Sequence, residues 1–312
     1  MHRLAAGVIA LGILSVPGLA RSEERARAPA RQQLGEHLFV ARQLVATPFA
    51  PSSLSSSTGL AYGTANGPTY DLAGNTVNVS GYSIGFFSQA LSGQWGIAEW
   101  WALRFTLEGT IFGGLNATGL AGVGVSGVVR SGAGTTFGFR VAETLQLGVL
   151  VDVAWGPSLA INVLQSIRNS ISSGTVETPV SDNYGTAVTP TVSLAWTIAR
   201  GFGAVVNVSY VTGALSVNDT STVDGTAAVV QGALEMDLRE LGSIPLGIAT
   251  SYSAGYSFGA ERFRRYLFDL GFFYTGTPGL TAGVDLAYRR APVDQVFVTS
   301  ISMIFTLAYT FN

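Results

Sequence analysis

The chain has 312 residues, 47% of them apolar and only 12% charged, with 39 glycines and a formal net charge of −2. Ordinary globular domains carry about 25% charged residues, so a soluble fold would lack the polar surface to cover itself. No cysteine and no lysine occur, which excludes disulfides, thiolate nucleophiles and Schiff-base chemistry, and the small net charge gives no electrostatic basis for nucleic-acid binding.

The first twenty residues, MHRLAAGVIALGILSVPGLA, read as a secretory signal peptide. His2 and Arg3 make a positive start, Leu4 to Val16 an apolar core too short to span a membrane, and Ala20 the expected cleavage point. Residues 21–46 follow as a charged N-terminal segment. Its stretch RSEERARAPARQQLGEHLFVARQ holds five arginines and three glutamates. It reads either as a periplasmic tail or as a plug folded into a lumen.

From residue 47 to 312 the pattern is strand, turn, strand. No stretch of 18 apolar residues runs uninterrupted, so helical spans are not expected. The expected strands are 47–62, 76–90, 100–112, 119–131, 144–156, 186–198, 202–214, 226–239, 244–257, 263–275, 279–289 and 296–311. Twelve is an even number, as a bacterial outer-membrane barrel requires. Every second connection reads as short, at Ser92-Gly93-Gln94, Arg200-Gly201, Leu241-Gly242-Ser243 and Gly276–Gly279. Others read as long and polar, such as 168–185 and 216–225. Short turns at the periplasmic end and longer loops outside are what such barrels have.

Within each strand one face is bulky and apolar, the other small or polar. In 100–114, Trp101, Leu103, Phe105, Leu107 and Ile111 alternate with Arg104, Thr106, Glu108 and Thr110. A water-soluble barrel would turn the bulky face inward. Here Trp95, Trp100, Trp101, Trp155, Tyr309 and Phe311 gather near strand ends, as interfacial aromatic girdles do. The fold class predicted is therefore an all-β, transmembrane antiparallel up-and-down barrel of about twelve strands.

The final segment, FVTSISMIFTLAYTFN, alternates to the end of the chain. With Phe305, Leu307, Tyr309 and Phe311 it resembles the C-terminal strand by which Gram-negative outer-membrane proteins are recognised for insertion, although Asn312 follows the last aromatic. That resemblance implies the barrel-assembly machinery as a partner and the bacterial outer membrane as the destination. The hairpin QWGIAEWWALRFTLEG (94–109) also resembles outer-membrane channels of the meta-pathway, aromatic-degradation type.

Strand parity assigns Arg104, Glu108, Asp152, Glu235, Asp237, Asp269, Asp285 and Arg289 to the lumen. Six acids against two arginines predict a mild cation preference in an open pore. The alternative is an ion-pair network that fills the barrel. Arg262, Arg264 and Arg265 fall in one expected outer loop and Arg290 in the next, where guanidinium groups could meet lipopolysaccharide phosphates. No metal-ligand spacing and no cofactor motif occur; Gly122–Gly127 matches G-x-G-x-x-G but lacks the helix that a dinucleotide site needs. The only histidines, His2 and His37, precede the expected first strand, so no barrel position offers an imidazole base and no enzyme is expected. The leading expectation is a channel or transporter for small solutes, hydrophobic ones included. The alternative is a non-conducting structural or adhesion barrel that binds a surface partner through its outer loops.

Overall fold

The computed structural model describes residues 32–40, 42–70, 76–116, 124–161, 180–217, 221–242, 244–258, 264–277, 279–293 and 296–311. The expected signal peptide and residues 21–31 lie outside the described residues, as does Arg262. The described chain begins with a small hairpin of β1 (Gln33–Leu34) and β2 (His37–Leu38), turned at Gly35, whose φ of 53° suits glycine.

Twelve strands then close one barrel. They are β3 (Ser52–Tyr70), β4 (Thr76–Ala98), β5 (Trp101–Gly114), β6 (Val125–Ala142), β7 (Leu145–Ile161) and β8 (Val180–Ala199), followed by β9 (Phe202–Val217), β10 (Ser221–Asp237), β11 (Leu246–Phe258), β12 (Arg264–Tyr274), β13 (Leu280–Val293) and β14 (Val296–Phe311). Each pairs antiparallel with the next in sequence. The seam closes where β14 pairs with β3, from Phe311↔Ser52 to Val298↔Ala65. Closure leaves no edge strand, so every backbone group in the wall can find a partner without water.

The outward face is apolar all the way round. Leu60, Phe87, Phe105, Val129, Val153, Val192, Val208, Leu234, Tyr252, Phe268, Leu286 and Phe305, one from each strand, are all exposed large side chains. Much of the inward face is small or polar, with Thr136, Ser193, Asn207, Ser251 and Thr306 buried, and one apolar arc runs through Tyr82, Ile84 and Val298. Such a molecule is arranged for lipid outside and polar contents inside.

The two ends differ. Three of the five connections at one end are two-residue turns, Glu99–Trp100, Glu143–Thr144 and Arg200–Gly201, and β3 starts and β14 stops there. Gly201 has φ 69° and packs on the Asp237 carbonyl, so a Cβ would be both strained and crowded. The connection from β10 to β11 contains one helical turn, α1 (Leu238–Gly242), rather than the simple turn expected at Leu241-Gly242-Ser243.

Three other expectations are corrected. Ser92-Gly93-Gln94 is not a turn but lies inside β4, with Gly93 paired to both Leu54 and Phe105. The Phe105 ring covers the space a Gly93 side chain would fill, so this glycine accommodates a cross-strand aromatic rather than a bend. The first barrel strand starts at Ser52, not 47, because Pro48 and Pro51 deny it ladder donors and send the chain inward. Residues 180–185, 216–217 and 221–225, read as loop from their polarity, are strand. Beyond the apolar band nothing demands hydrophobic alternation, yet the backbone ladder continues.

Candidate functional site

The lumen at the short-turn end is occupied by the chain itself. Residues 32–40 and 42–50 lie inside the barrel and touch β4 and β6 to β13 before the chain joins β3. Leu34, Phe39, Val45 and Phe49 pack against Ala195, Val205 and Ala233 on the inner faces of β8, β9 and β10. Burying four large apolar side chains stabilises the docked segment by about 1.5–3 kcal/mol each, as an upper bound. Small wall residues make this possible. Gly203 sits beneath His37 and Phe39, and Gly138 and Gly148 sit against Pro48.

An irregular segment inside a barrel has backbone carbonyls that no ladder satisfies. The wall supplies donors for them. Thr197 Oγ1 donates to the Leu34 carbonyl at 2.7 Å, Gln231 Nε2 to Leu44 at 2.5 Å, Asn207 Nδ2 to Ala46 at 2.9 Å and Gln146 Nε2 to Pro48 at 2.8 Å. Gln94 Nε2 donates to both Phe49, at 2.9 Å, and Pro51, at 2.8 Å. In the other direction, the Val40 amide donates to Glu235 Oε2 at 2.8 Å.

Charge completes the seat. The Arg42 guanidinium pairs with Asp285 at 2.7 Å and with Asp269, lies 5.6 Å from the Phe273 ring centroid, and is wholly enclosed together with both acids. Ser251 donates to Asp269. His37 Nε2 stands 3.8 Å from Glu235 Oε2, also enclosed, with its ring edge-on to Phe39. Asp237 is buried at the end of β10 and accepts the Arg239 amide at 3.1 Å.

Four of the acids assigned to the lumen by parity, Glu235, Asp237, Asp269 and Asp285, are therefore brought together at this one end. Arg104 and Asp152 form a separate, partly exposed pair at 3.1 Å, Arg104 standing opposite Gln94 in register. Glu108 lies further along β5, opposite Arg130 in register, with no ion pair between them. Three of the arginines expected in outer loops, Arg264, Arg265 and Arg290, are instead on strands. Arg264 and Arg265 begin β12, and Arg289 and Arg290 lie in β13. Alternation splits them. Arg265 and Arg289 share the inner face with Asp269 and Asp285, whereas Arg264 and Arg290 share the outer face with Phe268 and Tyr288. Arg290 rests over the Phe297 ring, 5.2 Å from its centroid.

Sequence reasoning missed Arg42 and Arg130, and it left His37 outside the barrel; the structure places His37 inside it. The available signal was the set of lumen-facing amides, Gln94, Gln146, Asn207 and Gln231, all near the short turns. Among the described residues no three His, Asp or Glu side chains are grouped as metal ligands would be.

No protein-family model and no curated protein matches the chain. Solved structures do. The translocator domain of the autotransporter NalP from Neisseria meningitidis aligns over 84% of this chain and 88% of its own, at 10% identity and a TM-score of 0.53. The β domain of the Bordetella autotransporter BrkA aligns over 84% of this chain and 100% of its own, at 11% identity and a TM-score of 0.51. The toluene transporter TodX from P. putida aligns over 91% and 97%, at 11% identity and a TM-score of 0.45. The fold is that of an outer-membrane β-barrel. At these identities the likeness concerns architecture only.

Proposed function

We propose that this protein is a channel of the bacterial outer membrane for small solutes, with residues 32–50 closing its periplasmic mouth. The short-turn end, where the barrel strands begin and end, is periplasmic in this reading. The observation that carries it is the composition of the seat. Beside the apolar cluster of Leu34, Phe39, Val45 and Phe49, the segment is retained by side-chain amides and by enclosed ion pairs to Arg42, and the lumen beyond it keeps exposed charge. Polar docking of this kind is reversible, because water can replace each partner when the segment leaves. Export follows the N-terminal signal, and the outward row Phe305, Leu307, Tyr309 and Phe311 presents β14 to the barrel-assembly machinery. Arg264 and Arg290, on the outer face at the loop end, are placed to meet lipopolysaccharide phosphates.

The test is single-channel recording of the refolded mature chain in a planar bilayer, after a heat-modifiable gel band has shown a folded barrel. Native protein is expected to give rare steps and Arg42→Ser frequent ones. A folded barrel that gives no steps in either form overturns the channel and favours the second reading, a non-conducting structural or adhesion barrel whose plug is permanent.

A further inference from the structure

The lumen above the plug carries the opposite charge from the plug's seat. Arg265 and Arg289 stand on the inner faces of β12 and β13, each four residues beyond the acids that bind Arg42. At about 3.4 Å per residue that is about 14 Å along the strand. Arg130 stands on the inner face of β6, six strands away in a ring of twelve and so on the opposite wall. Arg289 and Arg130 both lie within electrostatic reach of Arg265. All three side chains are exposed, and among the described residues none is in an ion pair.

One acid on the surrounding wall partly offsets this charge, Glu108, which stands directly opposite Arg130 in the ladder; Arg265 and Arg289 have no such neighbour. The arc between β13 and β6 is apolar on its inner side, through Ala65, Tyr82, Ile84, Phe86, Phe112 and Val298. Glu108 is the described acid nearest in register, and Asp152 is already taken by Arg104. Gly255, directly across the ladder from Arg265, leaves room for that guanidinium to lie along the wall; a Cβ there would come 2.5 Å from its Nε.

We propose that the outer half of the lumen is an anion-binding vestibule, in which Arg130, Arg265 and Arg289 converge from opposite walls on a small phosphate- or carboxylate-bearing solute. Guanidinium forks suit such oxyanions, and three of them in a confined lumen raise the local anion concentration. The transport consequence rests on the channel reading, but the binding site does not. It reverses the cation preference that a tally of all luminal acids suggests, because the plug sequesters four of the six.

The probe is inorganic phosphate, titrated by calorimetry into the refolded full chain in uncharged detergent at low ionic strength. Saturable binding is expected. Arg265→Gln with Arg289→Gln should weaken it at least tenfold, while Arg200→Gln, at the short-turn end of the barrel, should change it less than twofold; Arg264→Gln with Arg290→Gln, the outer pair, reports any phosphate bound on the lipid face. The single variant Arg289→Gln serves if the inner pair fails to fold, with several-fold weakening expected. No saturable binding by the native chain, or equal loss in both pairs, overturns the vestibule. Loss in the outer pair alone also overturns it and assigns the phosphate site to a lipid headgroup. Phosphate binding without conductance defeats only the channel; conductance without phosphate binding defeats only the vestibule.

Discussion

The two halves of this lumen are built by the same strands with the same alternation, yet they end in opposite electrostatic states. Near the short turns, carboxylates at Glu235, Asp237, Asp269 and Asp285 are buried because the chain returns to cover them and brings Arg42 and His37 with it. Four residues further along β12 and β13, Arg265 and Arg289 are left exposed, as is Arg130 on the opposite wall. Strand periodicity decides which side chains point inward. It does not decide which of them are neutralised; that depends on what else occupies the interior.

The sharpest way to break this contrast is Arg42→Ser. It leaves Asp269 and Asp285 enclosed together without a cation, a loss of about 3–5 kcal/mol when one partner of a buried pair is removed. The plug should leave its seat, and limited proteolysis of the folded barrel should then cut within residues 32–50, which are protected in the native protein. Restoring neutrality with Asp269→Asn and Asp285→Asn in the same chain should recover part of the protection. If Arg42→Ser leaves protection unchanged, the ion pairs do not retain the segment.

Gly203→Leu acts on the same end by volume. Its side chain would occupy the space of His37 and Phe39, and overpacking of this kind costs about 1–3 kcal/mol. Hydrogen exchange at residues 37–40 should accelerate while the barrel strands stay protected. Gln231→Ala removes one donor to the Leu44 carbonyl, worth about 1 kcal/mol, and should loosen the plug only slightly by the same assay. At the far side of the contrast, Arg104→Ala should barely alter the unfolding midpoint. Its pair with Asp152 is partly exposed, and such pairs contribute about 0–1 kcal/mol.

The barrel was legible because each strand must present a lipid face, and that face leaves an alternation that side chains cannot disguise. All twelve expected strands have counterparts here. Errors fell where lipid imposes nothing. Polar strand ends beyond the membrane read as loops, and Ser92-Gly93-Gln94 read as a turn because a glycine that hosts the Phe105 ring looks like a glycine that bends. The plug was harder still. Its contacts join residues separated by as many as 243 positions, as between Arg42 and Asp285, and no local periodicity encodes them. What the chain did display was a set of amides and small residues clustered on the inner face near the short turns. That combination reads, in retrospect, as a socket for irregular backbone.

The plug also bears on how the molecule is made. It leads directly into β3, half of the seam that closes the ring, while its partners are spread over β4 to β13. Those partners are synthesised after it and cannot surround it until nearly every strand is in place. A segment left outside when β14 meets β3 would have to enter by the mouth of a finished ring, the route by which it also leaves. The segment is thus positioned to serve as a mandrel around which the wall is wound, each newly added strand finding a carbonyl or a charge already waiting for it.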